Sequence, residues 1–235
     1  MNESKIEWTD STWNPVTGCD KVSPGCNNCY AERMAKRLTA MQNPRYLNGF
    51  KTTMHEDLLD QPLKKKKPNM VFVCSMSDLF HKDVTDDFIH AVFKTMNKAD
   101  WHTFQVLTKR PERLKKLSPS LTFTENIWIG TSVEHEKYLK RIDLIRNIPA
   151  KIKFLSCEPL LGPLSSMTLD QINWVVVGGE SGPKSRAMEI DWVRDIRDIC
   201  IKEDVAFFFK QWGGWNKKKN GRELDGKIYD QMPNK

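Results

Sequence analysis

Short apolar runs alternate with amphipathic stretches along most of this chain. The strand candidates are MVFVCS at 70–75, TFQVLT at 103–108, IWIGTS at 127–132, KIKFLS at 151–156, WVVVGG at 174–179 and VAFFFK at 205–210, with a weaker one, KIEWT, at 5–9. These runs are almost continuously apolar, as expected for strands buried on both faces. The alternation predicts an α/β fold with a parallel sheet, either a partial or complete parallel (β/α) barrel or, as the alternative, an open doubly wound sheet.

Helical spacing of apolar residues predicts helices over 27–41, 86–98, 135–147 and 191–203. The first would carry Tyr30, Met34, Leu38 and Met41 on one face. No internal repeat or low-complexity linker interrupts the 235 residues, so a single domain is predicted. The barrel would cover 1–212, and the polar tail at 213–235 would pack on it as a loop or short hairpin.

The composition of the chain restricts the cellular compartment and the kinds of binding partner that are expected. The first residues show no basic and apolar leader pattern, and no apolar stretch approaches the roughly 20 residues that cross a bilayer. These features predict a cytoplasmic protein with no membrane partner, in which thiols stay reduced. The net charge of +7 favours an acidic partner such as nucleic acid or a redox protein, or else a merely solvated basic surface. The run Lys64 to Lys67 precedes a strand and is interpreted as a solvated loop or docking patch.

Three cysteines, Cys19, Cys26 and Cys29, lie on a loop rich in glycine and proline that leads into a helix. Their C-x6-C-x2-C spacing supplies three thiolates, whereas a closed structural zinc site usually takes four protein ligands. Cysteines at short spacings also hold iron–sulfur clusters. The spacing favours a 4Fe-4S cluster with one iron left open. Zinc with a distant fourth ligand such as His55 or His81, or three unrelated loop cysteines, are the alternatives.

Polar residues and glycines follow the predicted strands rather than precede them. In chain order they are Ser75, Ser77 and Asp78; Thr108, Lys109 and Arg110; Ser132 and Glu134; Cys157 and Glu158; Gly178, Gly179 and Glu180; and Lys210 and Gln211. In a parallel barrel the C-terminal ends of the strands share one face, where active sites form. The sequence therefore predicts a functional site built from these residues.

The cysteine loop, placed between a first strand and a helix, resembles that of the radical S-adenosylmethionine (SAM) superfamily. The usual superfamily spacing is C-x3-C-x-aromatic-C; here the first gap is six residues, and Asn28 replaces the aromatic residue. The GC…C..CYA pattern resembles the spore-photoproduct-lyase-like branch, which acts on nucleic acid. Over nearly the full chain, WNPVTGC, VFVCSMSDLFH, VLTKRPERL, IWIGTSVE, FLSCEPLLGPL, VVVGGESGP and FFFKQWG resemble a phage- and prophage-associated three-cysteine-motif family.

The resemblance implies a cofactor set and a reaction. Cys19, Cys26 and Cys29 would hold a 4Fe-4S cluster, and SAM would chelate the iron that lacks a cysteine. One electron would cleave SAM to methionine and a 5′-deoxyadenosyl radical, which abstracts hydrogen from a nucleotide or nucleic acid to modify or repair it. The resemblance also implies an outside electron donor, a flavodoxin or ferredoxin, whose acidity suits a basic surface.

The resemblance assigns SAM contacts by position. The residues concerned are Ser75, Ser77 and Asp78 for the methionine amino group, Ser132 and Glu134 for the ribose, and Gly178 and Gly179 with Glu180 for the adenine. Lys109 and Arg110 would hold a SAM carboxylate or a substrate phosphate, or lie in a solvated loop.

For several other residues the sequence leaves both a functional role and a packing role open. Cys157 would donate hydrogen to a product radical or simply pack in the core. Glu158 would bind SAM or substrate, or act as an acid or base. Trp212 and Trp215 would stack on a base or pack the tail. Cys74 and Cys200 are predicted to be core residues.

Two other functions compete with this interpretation. One is a nucleic-acid-binding protein stabilised by zinc or a cluster, without SAM chemistry. The other is a metal-dependent hydrolase using Asp78, His81 and Glu158. The five histidines show no HxH or HExxH spacing, which argues against the hydrolase.

Overall fold

A computed structural model describes residues 1–4 and 6–233 of the chain. The chain divides into two compact units. Unit 1 comprises Met1–Val22, Cys29–Ile129 and Ile148–Lys151, and unit 2 comprises Ser23–Asn28, Gly130–Asn147 and Ile152–Lys235. The single domain expected from the sequence stays a prediction.

Unit 1 is built on a mostly parallel sheet. Its strands in chain order are β1 (Asn2–Glu3), β2 (Ser11–Trp13), β3 (Val16–Thr17), β4 (Thr53–Met54), β5 (Met70–Val73), β6 (Thr103–Thr108) and the first half of β7 (Ile127–Ser132). In the sheet β1 pairs antiparallel with β2, which pairs parallel with β5, and β5 pairs parallel with β6. The strands β3 and β4 form a separate antiparallel pair.

The helices of unit 1 bury apolar faces in its core. They are α1 (Tyr30–Ala40), α2 (Gln61–Lys64), α3 (Asp86–Lys98) and α4 (Pro111–Leu117), with 3-10 helices at Pro44–Tyr46, Glu56–Leu58 and Ser118–Ser120. The Thr85 side chain caps α3 by accepting a hydrogen bond from Phe88 N. Phe88, Val92 and Met96 lie on the buried face of that helix, at the spacing that an amphipathic helix requires.

Unit 2 continues the α/β pattern. Its strands β8 (Lys153–Cys157), β9 (Trp174–Gly178) and β10 (Ala206–Gln211) pair in parallel, and β11 (Glu223–Leu224) and β12 (Lys227–Ile228) form an antiparallel hairpin. Its helices are α5 (Lys140–Arg146), α6 (Ile190–Lys202) and α7 (Lys217–Asn220), with 3-10 helices at Pro24–Cys26 and Glu136–Tyr138. The strand β9 is buried along its whole length, as its continuous apolar run predicts.

The predicted α/β class and parallel sheet are confirmed, and six strand predictions match to within two residues at each end. Within each unit the described strands follow an open order, so the closed form of the barrel stays a prediction. The predicted strand at 5–9 is wrong: residues 6–9 are not in a strand, and Lys5 lies outside the described residues. The predicted tail forms the β11–β12 hairpin, while its residues 234–235 also lie outside the described part.

Two helix predictions need correction. The predicted helix at 135–147 splits into a 3-10 turn and the shorter α5. In α1 the buried positions are Ala31 and Ala35, whereas Tyr30 and Met34 of the predicted apolar face are exposed. Small alanine side chains let α1 approach the core closely, and Leu38 packs beside them. In contrast, Met34 is exposed, and the half-exposed Tyr30 donates its hydroxyl to the Ser75 carbonyl. Within the described part of the chain, no helix is both long and apolar enough to cross a membrane.

Candidate functional site

The loop that carries Cys26 is anchored in unit 2 by two buried carboxylates. Ser23 Oγ donates a hydrogen bond to Glu134 Oε1, and a Cβ added at Gly25 would lie 2.8 Å from the same oxygen. At the other end, Asn28 Nδ2 donates to Glu180 Oε2 at 2.9 Å. Because Glu134 packs directly against position 25, a residue larger than glycine would displace one of them. The segment 23–28 is therefore fixed at both ends.

Glu134 is fully buried and paired. Arg141 Nη1 lies 2.9 Å from Glu134 Oε2 and also donates to the Ser132 carbonyl at 2.9 Å. The Arg141 guanidinium lies over the Tyr138 ring, 4.3 Å from its centroid. A buried carboxylate is tolerated only when charge and hydrogen bonds compensate it, and Arg141 supplies both.

Glu180 forms the second anchor. It accepts hydrogen bonds from Arg186 Nε at 2.9 Å and from the Arg186 backbone N–H at 3.0 Å. The same guanidinium donates to the Pro24 carbonyl at 3.0 Å. Burial alone would raise the pKa of Glu180, but the hydrogen bonds from Arg186 and Asn28 outweigh it and lower that pKa. Glu180 is therefore ionised at neutral pH.

In unit 1, Cys19 lies beside a guanidinium. Arg110 Nη2 is 3.7 Å from Cys19 Sγ and 3.2 Å from the Asp20 carbonyl oxygen. A neighbouring positive charge favours the thiolate, which is the form that binds metal. The preceding Gly18 has φ +79°, and a Cβ there would lie 2.2 Å from the Lys51 carbonyl oxygen, so this turn requires glycine. Cys29 is the N-cap residue of α1.

The turn after β5 contacts the start of the cysteine loop within unit 1. Ser77 Oγ donates to the Gly18 carbonyl, and Ser75 Oγ donates to Asn14 Oδ1 at 3.1 Å. Asp78 accepts from Thr108 Oγ1 at 2.7 Å and from the Lys109 backbone N–H at 2.9 Å. The predicted residues after β5 and β6 thus lie together.

Residues at the C-terminal ends of β8, β9 and β10 meet in unit 2. Lys210 Nζ lies 2.8 Å from Glu158 Oε1, and Ser156 Oγ lies 3.2 Å from Glu158 Oε2. A Cβ at Gly178 would lie 2.7 Å from Glu158 Oε1, while one at Gly179 would lie 2.0 Å from the Trp212 carbonyl oxygen. Both glycines therefore permit close packing. Cys157 is fully buried, as expected for a packed residue.

The two histidines considered as zinc ligands have other partners in unit 1. His55 Nε2 lies 2.8 Å from Thr17 Oγ1. His81 is fully buried, and its ring contacts Asp20 at 3.2 Å and Asp83 at 3.6 Å. Ligand atoms of Asp20, His81 and Asp83 lie within 4.8 Å of one another. Burial lowers the pKa of both histidines, so both are neutral at pH 7.

A comparison with protein families matches residues 3–233 to a family described as "Protein of unknown function (DUF5131)". The chain belongs to this family. No curated protein sequence matches the chain.

Two solved structures of spore photoproduct lyase resemble this DUF5131-family chain in fold. One is the lyase complexed with dinucleoside spore photoproduct, at 12% identity and a TM-score of 0.53. The other is a cysteine-to-serine mutant of the lyase, at 13% identity and a TM-score of 0.52. Each match covers 86% of this chain and 64% of the lyase chain, a little under two thirds of its length. Because identity is this low, the likeness concerns the fold, and the predicted phage association stays a prediction.

The thiols of this DUF5131-family chain fall into two classes that suit a cluster in the cysteine loop. The cysteines at 19, 26 and 29 are half-exposed, whereas Cys74, Cys157 and Cys200 are buried. Burial raises the pKa of Cys74, and raises that of Cys200 to about 12. Burial of this kind makes a thiol unreactive, so the loop cysteines stay the predicted metal donors.

An unpaired donor lies beside the cysteine loop. Arg110 Nε is buried and has no hydrogen-bond partner among the described residues. A buried donor without an acceptor costs free energy unless a ligand satisfies it. The donor set and this orphaned N–H therefore fit a sulfur-rich or anionic group. Cys19 and Cys29 belong to unit 1 and Cys26 to unit 2, so convergence of their three sulfurs stays a prediction.

The sequence analysis did not identify the two arginines that pair with the carboxylates anchoring the cysteine loop. Arg141 lies seven residues after Glu134, on the buried side of α5, and Arg186 lies six residues after Glu180 in a loop. No sequence pattern marks a loop arginine as the partner of a particular carboxylate. The predicted contact of Arg110 with SAM or phosphate is untested, while the structure places Arg110 next to Cys19.

Proposed function

We propose that this protein is a radical SAM enzyme that modifies or repairs a nucleotide or nucleic acid in the cytoplasm. Cys19, Cys26 and Cys29 would hold a 4Fe-4S cluster with one iron open to SAM. When bound, the cluster would supply one electron to SAM and so generate methionine and a 5′-deoxyadenosyl radical. The remaining steps depend on how this chain binds, orients and shields the reactants.

The main support for the proposal is the environment of the cysteine loop. The half-exposed thiols of the chain are the three in this loop, and two fully compensated carboxylates hold its middle segment. A loop fixed this way keeps its thiols in one arrangement at little entropic cost when a cluster binds. The lyase-like fold supports the same conclusion, because the sequence of the loop resembles the lyase branch of the radical SAM superfamily.

Several residues of the chain have roles in this proposal. Arg110 would stabilise negative charge at Cys19 and donate its free N–H to SAM or a cluster sulfur. Ser75, Ser77 and Asp78 would face the methionine amino group, with Asp78 already ordered by Thr108. Glu158, held by Lys210, would bind a polar group of SAM or the substrate, or act as an acid or base.

A nucleotide or nucleic acid is the proposed substrate class. One of the matching lyase structures holds a dinucleoside spore photoproduct. The net charge of +7 attracts phosphate, and Trp215 presents an exposed ring on which a base could stack. Trp212 has a different environment. Its Nε1 donates a hydrogen bond to the Glu223 carbonyl oxygen, and this contact holds the tail.

The test is formation of 5′-deoxyadenosine by anaerobically reconstituted protein given SAM and dithionite, with and without single-stranded or ultraviolet-treated DNA. We expect the nucleoside to form, and to form faster with the DNA that carries the substrate. Cys26→Ala is expected to abolish it, while Cys200→Ala, which removes a buried thiol of α6, is expected to retain it.

Two outcomes would count against the proposal. Equal activity of wild type and Cys26→Ala would remove the three-cysteine cluster from the mechanism. Stoichiometric zinc with no product from the wild type would favour the metal-stabilised nucleic-acid-binding protein instead.

A further inference from the structure

The helix α1 presents an apolar stripe to solvent. Tyr30, Met34 and Met41 are 50%, 43% and 65% exposed. Tyr30 and Met34 lie about 40° apart around the helix axis, and Met41, the C-cap residue directly after the helix, extends the same stripe. Ala31 and Ala35 lie about 100° further around the helix and are buried in the core of unit 1. Exposed apolar residues scattered singly are ordinary, but a contiguous stripe on one helix marks a contact surface.

The charges on the same helix are mainly positive. Its charged residues are Glu32, Arg33, Lys36 and Arg37, three basic and one acidic. Glu32 is paired with Lys36 at 3.2 Å and with Lys21 at 3.4 Å, and these partners lower its pKa despite partial burial. Arg37 is exposed and lies on the stripe itself. An apolar stripe flanked by cations complements an acidic surface with an apolar centre.

The stripe begins at a candidate cluster ligand. Cys29 is the N-cap residue of α1, and Tyr30 and Met34 lie within the following turn and a half. One helical turn rises about 5.4 Å, so a partner that covers these two side chains would lie within roughly two turns of Cys29. Electron transfer into a cluster held by Cys29 would need a surface this close.

We propose that the exposed stripe of α1 is the docking surface for a small acidic electron-donor protein. The inference rests on the proposed function, because only a cluster that must be reduced needs such a donor. The donor would cover Tyr30, Met34 and Met41, with Arg37 pairing an acidic side chain at its rim. Flexible methionines suit a surface that must release its partner after each electron.

Nucleic acid is the less suitable occupant of this stripe. Bases stack on aromatic rings, and phosphates pair with cations. Two of the three apolar side chains in the stripe are methionines.

The test measures flavodoxin binding and cluster reduction separately. Oxidised flavodoxin is titrated into wild type, Met34→Glu and Ile201→Glu, and binding is followed by calorimetry. Ile201 is the matched control, because it is 66% exposed on α6 in the other unit. We expect Met34→Glu to weaken binding at least about tenfold, since it sets a like charge in an apolar contact with an acidic partner. Ile201→Glu should bind as wild type does.

Reduction by reduced flavodoxin should slow to the same extent in Met34→Glu, while reduction by dithionite keeps its rate. Wild-type flavodoxin affinity in Met34→Glu would overturn the docking surface, even if 5′-deoxyadenosine still forms. In a different outcome, Met34→Glu loses affinity for a single-stranded oligonucleotide while its flavodoxin affinity stays unchanged. That result would assign the stripe to nucleic acid and would also overturn the proposed docking surface. Failure of wild type to cleave SAM with dithionite would defeat the proposed function, whereas the flavodoxin titration reports on the stripe independently.

Discussion

At the scale of single residues, Arg110 is the side chain most directly placed to tune a cluster. Its guanidinium lies 3.7 Å from Cys19 Sγ, and its backbone N–H donates to Thr108 Oγ1 at 2.8 Å. Adding an electron to a cluster adds negative charge beside this cation. If Cys19 ligates the proposed cluster, Arg110 would therefore stabilise its reduced form relative to its oxidised form.

Arg110→Gln should lower the midpoint potential of the reconstituted cluster. A unit charge about 4 Å away contributes on the order of 1 to 4 kcal/mol in water-like to surface-like surroundings, which corresponds to tens of millivolts or more. Lys36→Gln removes the same charge from the exposed side of α1 and should leave the potential unchanged. A redox titration followed by EPR measures both. An unchanged potential in Arg110→Gln would mean that Cys19 does not ligate the cluster.

Glu180 makes the loop anchor sensitive to acid. Its pKa is lowered in the folded protein, so its ion pair stabilises the fold fully above the unfolded-state pKa of about 4.3. That contribution is lost as pH falls through the lowered pKa. Glu180→Gln should therefore melt below wild type at pH 7, and the gap should close below about pH 4.

Thermal melts between pH 3 and pH 7 measure this gap. The exposed Glu189→Gln is the control and should follow wild type at each pH. A gap between Glu180→Gln and wild type that stays constant through the acid range would show that Glu180 acts through packing rather than charge.

At the scale of elements, α5 and the cysteine loop are joined through Glu134. Replacing Glu134 with Gln keeps the volume but leaves Arg141 as a buried charge without its counter-ion. Breaking a buried pair in this way typically costs about 3–5 kcal/mol. We expect urea unfolding of Glu134→Gln to show a loss of this size and a lower affinity for iron. The exposed Glu136→Gln on the same segment should change stability by less than about 0.5 kcal/mol.

The strands were more predictable than the helices for a physical reason. Runs such as 103–108 and 127–132 are apolar because both faces are buried, so sequence alone locates them. For α1, apolar periodicity identified only part of the buried side. Leu38 packs on the core, but Tyr30, Met34 and Met41 are exposed. Ala31 and Ala35 are apolar too, and close packing at these small residues decided which side is buried.

At the scale of the whole molecule, the sequence predicted which chain segments meet but not which atoms. Parallel strand order brings the residues after β5 and β6 together, as with Asp78 and Lys109. Long-range pairs such as Asn28 with Glu180 span 152 residues and depend on loop paths that no local pattern encodes. The three cysteines could be predicted as metal ligands from the sequence because metal binding depends on both residue type and spacing, and that role stays a prediction.

The most direct test of the central claim is the EPR spectrum of the reduced, anaerobically reconstituted protein, recorded with and without SAM. We predict a 4Fe-4S signal that shifts when SAM is added, because the iron without a cysteine would take SAM as its ligand. A protein that binds stoichiometric zinc, or a cluster whose spectrum SAM leaves unchanged, would contradict the account.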